Sequence, residues 1–369
     1  MARTIVGLND AKAVKKYSAF LASDSARDSY FSSRFMGKGS DSMTPIQMLA
    51  ELESDAGEEI KFDLSIQLKQ QPTEGDDILE GNEESLTFYT DSVYIDQSRH
   101  GVNAGGRMTR KRTVHDLRPI ARKRLSEYWS RVFDENFMIY GAGARGVNSD
   151  FVYPTSWTGR ANNSLAAPDS DHLMYGGNAT AKNNVDSSDI MSLTVIEKAV
   201  TKAKTLGGGT EGIPRVQPIK VNGRKGYVLV MHEFQAYDLR TTTTTGQWLD
   251  IQKAAAGADG QKNPMFRDSL GMYRDVILHS HEAIVRFSDY GSGVNLPAAR
   301  ALFLGQQALV CAFGSPGNNL RFGWYEDTDD RGNQLIVDTD TIWGCKKVRF
   351  NSKDFGLIAI DTYAIDPNA

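Results

Sequence analysis

Apolar positions along the chain switch between two periods, and the switches mark out its elements. From Ile60 to Leu68 every second residue is apolar (Ile60, Phe62, Leu64, Ile66, Leu68), which predicts a strand with one buried face. A polar loop follows, Gln71-Pro72-Thr73-Glu74-Gly75-Asp76-Asp77. Strand character then returns over Leu86–Ile95, ahead of a glycine-rich turn at Gly101–Gly106. Two strands flanking a long acidic loop predict a flap that stands off the core. Next, Ala121, Leu125, Tyr128, Val132 and Phe137 keep the three-and-four spacing of a helix with one apolar stripe. His115 or Asp116 is placed to cap it, Pro119 falls in its first turn, and Gly141 closes it. About 24 residues at 1.5 Å each make a rod of roughly 36 Å, long enough to act as a spine. A second amphipathic helix is predicted from Ser188 to Leu206, with Leu193, Ile196, Val200 and Ala203 on one face and Gly207-Gly208-Gly209 as its stop.

The remaining segments are less regular. The first sixty residues are polar and serine-rich, with short helices expected over Asp10–Ala22 and, after Pro45, over Ile46–Leu52. They carry little apolar surface, so they read as an N-terminal arm. Ala142–Asn184 is mostly Gly, Asn, Ser, Ala and Asp and reads as a long surface excursion. From Val216 onward strands dominate: Tyr227–Met231, Val276–Phe287, a buried apolar segment over Ala301–Phe313, Arg321–Tyr325, Leu335–Phe350 and Phe355–Tyr363. A short helix over Phe234–Arg240 interrupts them, the threonine run Thr241–Thr245 reads as an exposed strand or loop, and Asp329–Asn333 reads as a hairpin tip. With no regular βαβ alternation and no internal repeat, the fold class is α+β.

Composition adds charge to this picture. The 369 residues carry a formal net charge of −4, which argues against a surface built throughout to bind nucleic acid. That balance hides a segregation. The flap gathers Glu74, Asp76, Asp77, Glu80, Glu83 and Glu84, while the approach to the spine helix gathers Arg107, Arg110, Lys111, Arg112 and Arg122. If the flap projects, its acids are placed to meet the basic segment of a neighbouring copy in a head-to-tail contact. Three other readings stand beside this one: two solvated faces, a pairing of the two segments within one chain, or a basic cluster that touches DNA phosphates. The longest apolar stretch, Ala301–Phe313, is interrupted by Gly305, Gln306 and Gln307 and is too short to cross a bilayer. No secretory signal is visible, and Cys311 and Cys345 lack a metal-binding spacing, so a soluble protein made in a reducing cytoplasm is expected.

Motifs for chemistry are sparse. Gly141-Ala142-Gly143-Ala144-Arg145-Gly146 fits a dinucleotide fingerprint by letter, but it closes a helix where the fingerprint must open one. His279 and His281 fall on one face of a strand, and a metal shared between them would need a third ligand from His232, Asp275 or Glu282. A metal-dependent enzyme centred on that pair is the alternative reading. Packing histidines are the commoner outcome of such a pair, and no cofactor is called for.

Several stretches, taken in order, carry a family resemblance: Leu79-Glu80-Gly81-Asn82-Glu83-Glu84, Asp96-Gln97-Ser98-Arg99-His100, Tyr273-Arg274-Asp275-Val276-Ile277-Leu278-His279-Ser280-His281, Ala301-Leu302-Phe303-Leu304-Gly305-Gln306-Gln307-Ala308, and the closing Phe355–Tyr363 strand. Together they resemble the major capsid proteins of tailed bacteriophages, in the group similar to coliphage N-four. The resemblance implies a Hong Kong 97-like fold with an N-terminal arm at 1–59 and an extended loop at 60–113. A peripheral domain with the spine helix would occupy 114–215, an axial domain 216–335, and strands returning to the peripheral domain 336–369. It implies a subunit that self-assembles into hexamers and pentamers of an icosahedral head enclosing double-stranded DNA, without enzymatic activity. The implied partners are a separate scaffolding protein, a portal and a decoration protein, with the virion as the final location and no membrane. His279 and His281 would then be packing residues of the axial domain.

Overall fold

A computed structural model describes residues 11–39, 43–53, 57–66, 68, 70–112, 117–206, 215–221, 224–257, 265, 268–316 and 320–368. The chain opens with helices α1 (Ala11–Asp28) and α2 (Tyr30–Arg34), then strands β1 (Met36–Lys38) and β2 (Ile46–Leu49). The flap strands β3 (Glu59–Ser65) and β4 (Phe88–Tyr94) lead into β5 (Asp96–Asn103), a short helix α3 (Arg107–Arg112) and the spine α4 (Leu117–Ala142). Beyond the irregular stretch come β6 (Leu173–Tyr175), α5 (Leu193–Thr205), β7 (Ile219–Val221), β8 (Arg224–Met231), α6 (Glu233–Thr242) and α7 (Thr245–Gly257). The chain closes with β9 (Gly271–Tyr273), β10 (Val276–Ser280), β11 (Arg286–Tyr290), β12 (Leu296–Leu304), β13 (Leu309–Phe313), β14 (Phe322–Asp329), β15 (Gln334–Lys347) and β16 (Leu357–Tyr363).

Two sheets organise the molecule. The first runs β1-β2-β13-β15-β14, with β5 also on β15; the second runs β9-β10-β8-β12-β16-β6, with β11 on β12 and β7 on β8. The 26-residue spine, about 39 Å at 1.5 Å per residue, lies on the first sheet and reaches the second with its C-terminal end. Trp129 Nε1–H donates to Thr339 Oγ1 at 2.9 Å, and the Phe133 ring meets Trp343 edge-on at 4.7 Å. Gly143 ends the helix one turn-residue past Ala142, in the left-handed region at φ +68°, where a Cβ would sit 2.2 Å from the Ala166 carbonyl oxygen. At the junction of the sheets Arg300 is buried, donating to both Asp361 oxygens at 2.6 and 2.7 Å and to the carbonyl of Ala142 at 2.7 Å.

The N-terminal region departs from its expected character. Ile46–Leu49 is a buried strand, not a helix, because it pairs in parallel with both β1 and β13 and all four residues are covered. Leu21, Phe31 and Phe35 are fully buried in the main core, so the segment brings more apolar surface than its serine content suggested. The aspartate that fixes it is remote in sequence: Asp134 of the spine accepts from Ser29 Oγ at 2.7 Å and from the backbone N–H groups of Tyr30 and Phe31 at 2.7 and 3.0 Å. Burial pushes the Asp134 carboxyl up to about 6.

Other boundaries also move. Gly101 lies inside β5, paired with Asp338 of β15, so the glycine-rich turn begins only after Asn103. The threonine run spans a break between two helices: α6 continues through Thr242, Thr243 and Thr244 lie outside both helices, and α7 starts at Thr245, with Thr243 Oγ1–H returned to the Leu239 carbonyl at 2.6 Å. The excursion after the spine is irregular but not peripheral, since Asn148 and Asn163 are buried and Asn163 bonds both backbone groups of Tyr94. Helix α5 packs on the second sheet, with Val195, Ile196, Ala199 and Val200 against Leu229, Phe303 and Ile358. The stops proposed at 207–209 and the caps at His115 and Asp116 lie outside the described residues.

Candidate assembly surfaces

The flap is a two-stranded sheet in register from Glu59 opposite Tyr94 to Ser65 opposite Phe88. Its base is anchored: Ile60 and Val93 pack with Val310, Ala312, Val348 and Phe350 on the side of the first sheet away from the spine. The ammonium of Lys346 pairs with Asp91 at the same base. Beyond this base the alternation that wrote the strand has no partner surface. Leu68, Ile78, Leu79, Leu86 and Phe88 are 61, 73, 59, 61 and 58% exposed, a concentration of apolar side chains in water that a lone subunit has no reason to keep.

Acids surround them. Glu74, Asp76, Asp77, Glu80 and Glu83 are exposed, and none forms an ion pair among the described residues. Glu83 accepts from the N–H of Gly81 at 2.8 Å and Glu84 from that of Gln70 at 2.7 Å, so these two shape the loop itself. Among the described residues, Glu74, Asp76, Asp77, Glu80 and Glu83 therefore form no ion pair with the basic segment of their own subunit.

The basic segment lies at the other end of the first sheet. Arg107, Lys111 and Arg112 are exposed on α3 and form no ion pair among the described residues, and the Arg107 N–H donates to Asn333 Oδ1 at the β14–β15 hairpin. The Arg110 side chain lies outside the described residues. Arg122 behaves differently from the group it was placed with. It stands 3.8 Å from Asp24 and covers the Phe20 ring, holding α1 to the spine. Met108 and Ile120, 62 and 42% exposed, put apolar groups among the cations. The spine has no acidic residue in its first turn, where the helix dipole favours one; of its early cations, Lys123 and Arg124 pair with Glu127 one turn on. The sequence reading found the charges and missed these apolar residues; the signal was there in Ile78-Leu79 set inside an acidic loop.

His279 and His281 are held in a different role. His279 Nε2–H donates to the Met265 carbonyl at 2.7 Å, and His281 Nδ1 accepts from the Ala283 N–H at 3.0 Å. Their rings pack on the aromatic side of α2, His281 at 4.6 Å from Tyr30 and His279 at 5.2 Å from Phe35. Burial lowers both imidazoles to about 4. None of His232, Asp275 or Glu282 joins them in a metal-binding cluster among the described residues.

The sequence profile of phage capsid proteins matches residues 5–365. The chain belongs to the phage capsid protein family. A curated relative, the major capsid protein of Pseudomonas phage KPP25, is 24% identical over 368 residues and covers 91% of each chain. The capsid of Ralstonia phage GP4 superposes with a TM-score of 0.86 at 51% identity over 100% of both chains. The capsid asymmetric unit of cyanophage Pam1 shares the fold at a TM-score of 0.69 and 21% identity, over 89% of this chain and 90% of its own. The capsid chain thus has the Hong Kong 97-like fold that its sequence led us to expect, and it is a structural component of a tailed-phage head.

Proposed function

We propose that the capsid chain is the major shell subunit and that its flap lies on the basic segment of a neighbouring copy. One observation carries the contact: exposed apolar side chains accompany both of the segregated charges. Ile78, Leu79 and Leu86 sit among acids, and Met108 and Ile120 among bases. Matching hydrophobic groups supply affinity, and opposite charges select partner and register. Repeated around a ring, such a heterologous contact closes hexamers and pentamers, and many weak contacts add up to a stable icosahedral shell around double-stranded DNA.

Within the subunit, the first sheet with the spine serves as the peripheral unit. The second sheet with α5, α6 and α7 serves as the axial unit at capsomer centres, an assignment that moves α5, β6 and β16 out of the peripheral domain the resemblance gave them and β13 and β14 into it. The chain assembles in the host cytoplasm with a separate scaffolding protein and a portal, takes a decoration protein on its outer face, and performs no catalytic step. The test is the triple variant Arg110→Glu, Lys111→Glu, Arg112→Glu, made with the wild-type assembly partners and examined by sedimentation and negative-stain imaging. Dispersed subunits with an unchanged melting temperature are expected; closed particles in normal yield would refute the contact.

A further inference from the structure

The flap base packs on part of the first sheet's face away from the spine, and a small acidic cleft lies elsewhere on that face. Along β15, Val337, Thr339 and Trp343 face the spine, so Asp338 and Asp340 face away from it. The register places Tyr325 and Gly101 on either side of Asp338, and Gly323 and Arg99 on either side of Asp340. The two glycines leave room for the carboxylates, since a Cβ at Gly101 or Gly323 would lie 1.9 Å from Asp338 Oδ1 or Asp340 Oδ1. The result is a cavity of about 260 Å³ lined by Arg99, Tyr325, Asp338 and Asp340.

Asp340 is only 3% exposed. Gln97 Nε2–H donates to its Oδ2 at 2.9 Å, while Oδ1 is buried with no hydrogen-bond partner. Neither acid forms an ion pair among the described residues, the exposed Arg99 at the rim of the cleft included. A solvated acid, like those of the flap, gains little from a cation, whereas a desolvated carboxylate with an unmet lone pair gains a hydrogen bond as well as a charge.

We propose that this cleft receives a cationic side chain from α3 of a second copy. Arg107, Lys111 and Arg112 are exposed and form no ion pair among the described residues. A chain's own α3 is out of reach of its own cleft: Arg99 to Asn103 is already about 13 Å of extended strand, and α3 starts four residues further on. The occupant therefore comes from another subunit, the hairpin end of one sheet meeting the open face of the next. This contact rests on the shell reading above and draws on the same α3 cations as the flap contact, so the two are told apart by the acidic side that is linked.

Two cysteine pairs separate the contacts, the native Cys311 and Cys345 being buried. Shells of Tyr325→Cys/Lys111→Cys, oxidised with copper phenanthroline, are expected to give a ladder of linked chains that neither single variant gives. Glu80→Cys/Lys111→Cys reports the flap contact in parallel. A ladder from the flap pair alone, or from neither pair in shells that do form, overturns the cleft and leaves the shell reading standing. Failure of the wild-type chain to form shells with its assembly partners overturns both. The variant Asp338→Asn/Asp340→Asn should lower the yield of closed shells about tenfold or more, as expected for loss of a buried charge partner. The melting temperature of its dispersed subunit should not fall. Unchanged yield overturns the proposal, and so does an equal loss in Arg99→Ala, which would show that the subunit's own arginine closes the cleft.

Discussion

Replacing Ile78 and Leu79 together by alanine tests whether the flap is held by its apolar residues. Full burial of an isoleucine or leucine side chain contributes about 1.5–3 kcal/mol, and in the subunit these two still expose 73 and 59% of their surface. Covering the remainder against a neighbour therefore contributes on the order of 1–2 kcal/mol per residue, or about 2–4 kcal/mol for the pair. Each contact would weaken by roughly thirtyfold to a thousandfold, at about 1.4 kcal/mol per tenfold. Because the loop is solvated in the free subunit, its own stability should change by no more than about 0.5 kcal/mol. The assay pairs sedimentation of the assembled fraction, across a concentration series, with thermal melting of dispersed subunits. The assembly threshold should rise by at least an order of magnitude at constant melting temperature, and raising salt to screen the acids should not mimic the effect. Closed shells at the wild-type threshold would refute the reasoning, as would a defect reproduced in full by salt alone.

Other expectations concern the subunit itself. Trp129→Ala removes a fully buried ring and its bond to Thr339, and should cost about 3–5 kcal/mol in chemical denaturation of the dispersed chain. Asp361→Asn leaves the Arg300 guanidinium buried against a neutral partner and should cost on the order of 3–5 kcal/mol by the same measurement. Acidification should destabilise the subunit. Burial lowers His232, His279 and His281 to about 4, so the stability they contribute is intact above pH 6.5 and is lost as pH falls toward 4. Asp134 and Asp238, raised by burial to about 6, act the other way and regain stability below that pH. Glu135, also raised by burial, acts with these two, but between pH 7 and 4.5 the histidines pass through more of their shift than the carboxyls do, so the melting temperature should be lower at pH 4.5 than at pH 7, and His279→Gln should narrow the gap; a flat profile would contradict the burial of the histidines.

The parts of the fold that were legible in the sequence are those written by local period. The flap strand shows its alternation over five apolar residues, and the spine shows its stripe. What stayed hidden depends on partners far along the chain. Ile46–Leu49 looked helical after Pro45 because four residues carry no usable period, and the strand they pair with, Leu309–Ala312, is invisible from that position. Helix α2 owes its start to Asp134, about a hundred residues away. The threonine run suggested extended backbone through its branched side chains, yet Thr242 and Thr243 return their hydroxyls to the preceding helical turn. The charges of the assembly surfaces were legible because charge needs no folding to be counted. Their apolar residues were not, since only the structure shows that Ile78 and Met108 have nothing to pack on.

The pairing of β2 also sets a timetable. Its neighbour β13 begins about 260 residues later, so on a ribosome adding roughly 5–20 residues per second the first sheet stays open for about 13–50 s. Throughout that interval Ile46, Met48 and Leu49 await their cover, and no nascent chain can present a finished peripheral surface to its neighbours. Subunits are thus barred from joining a shell until almost the whole polypeptide has emerged, which makes the length of the chain itself a clock for assembly.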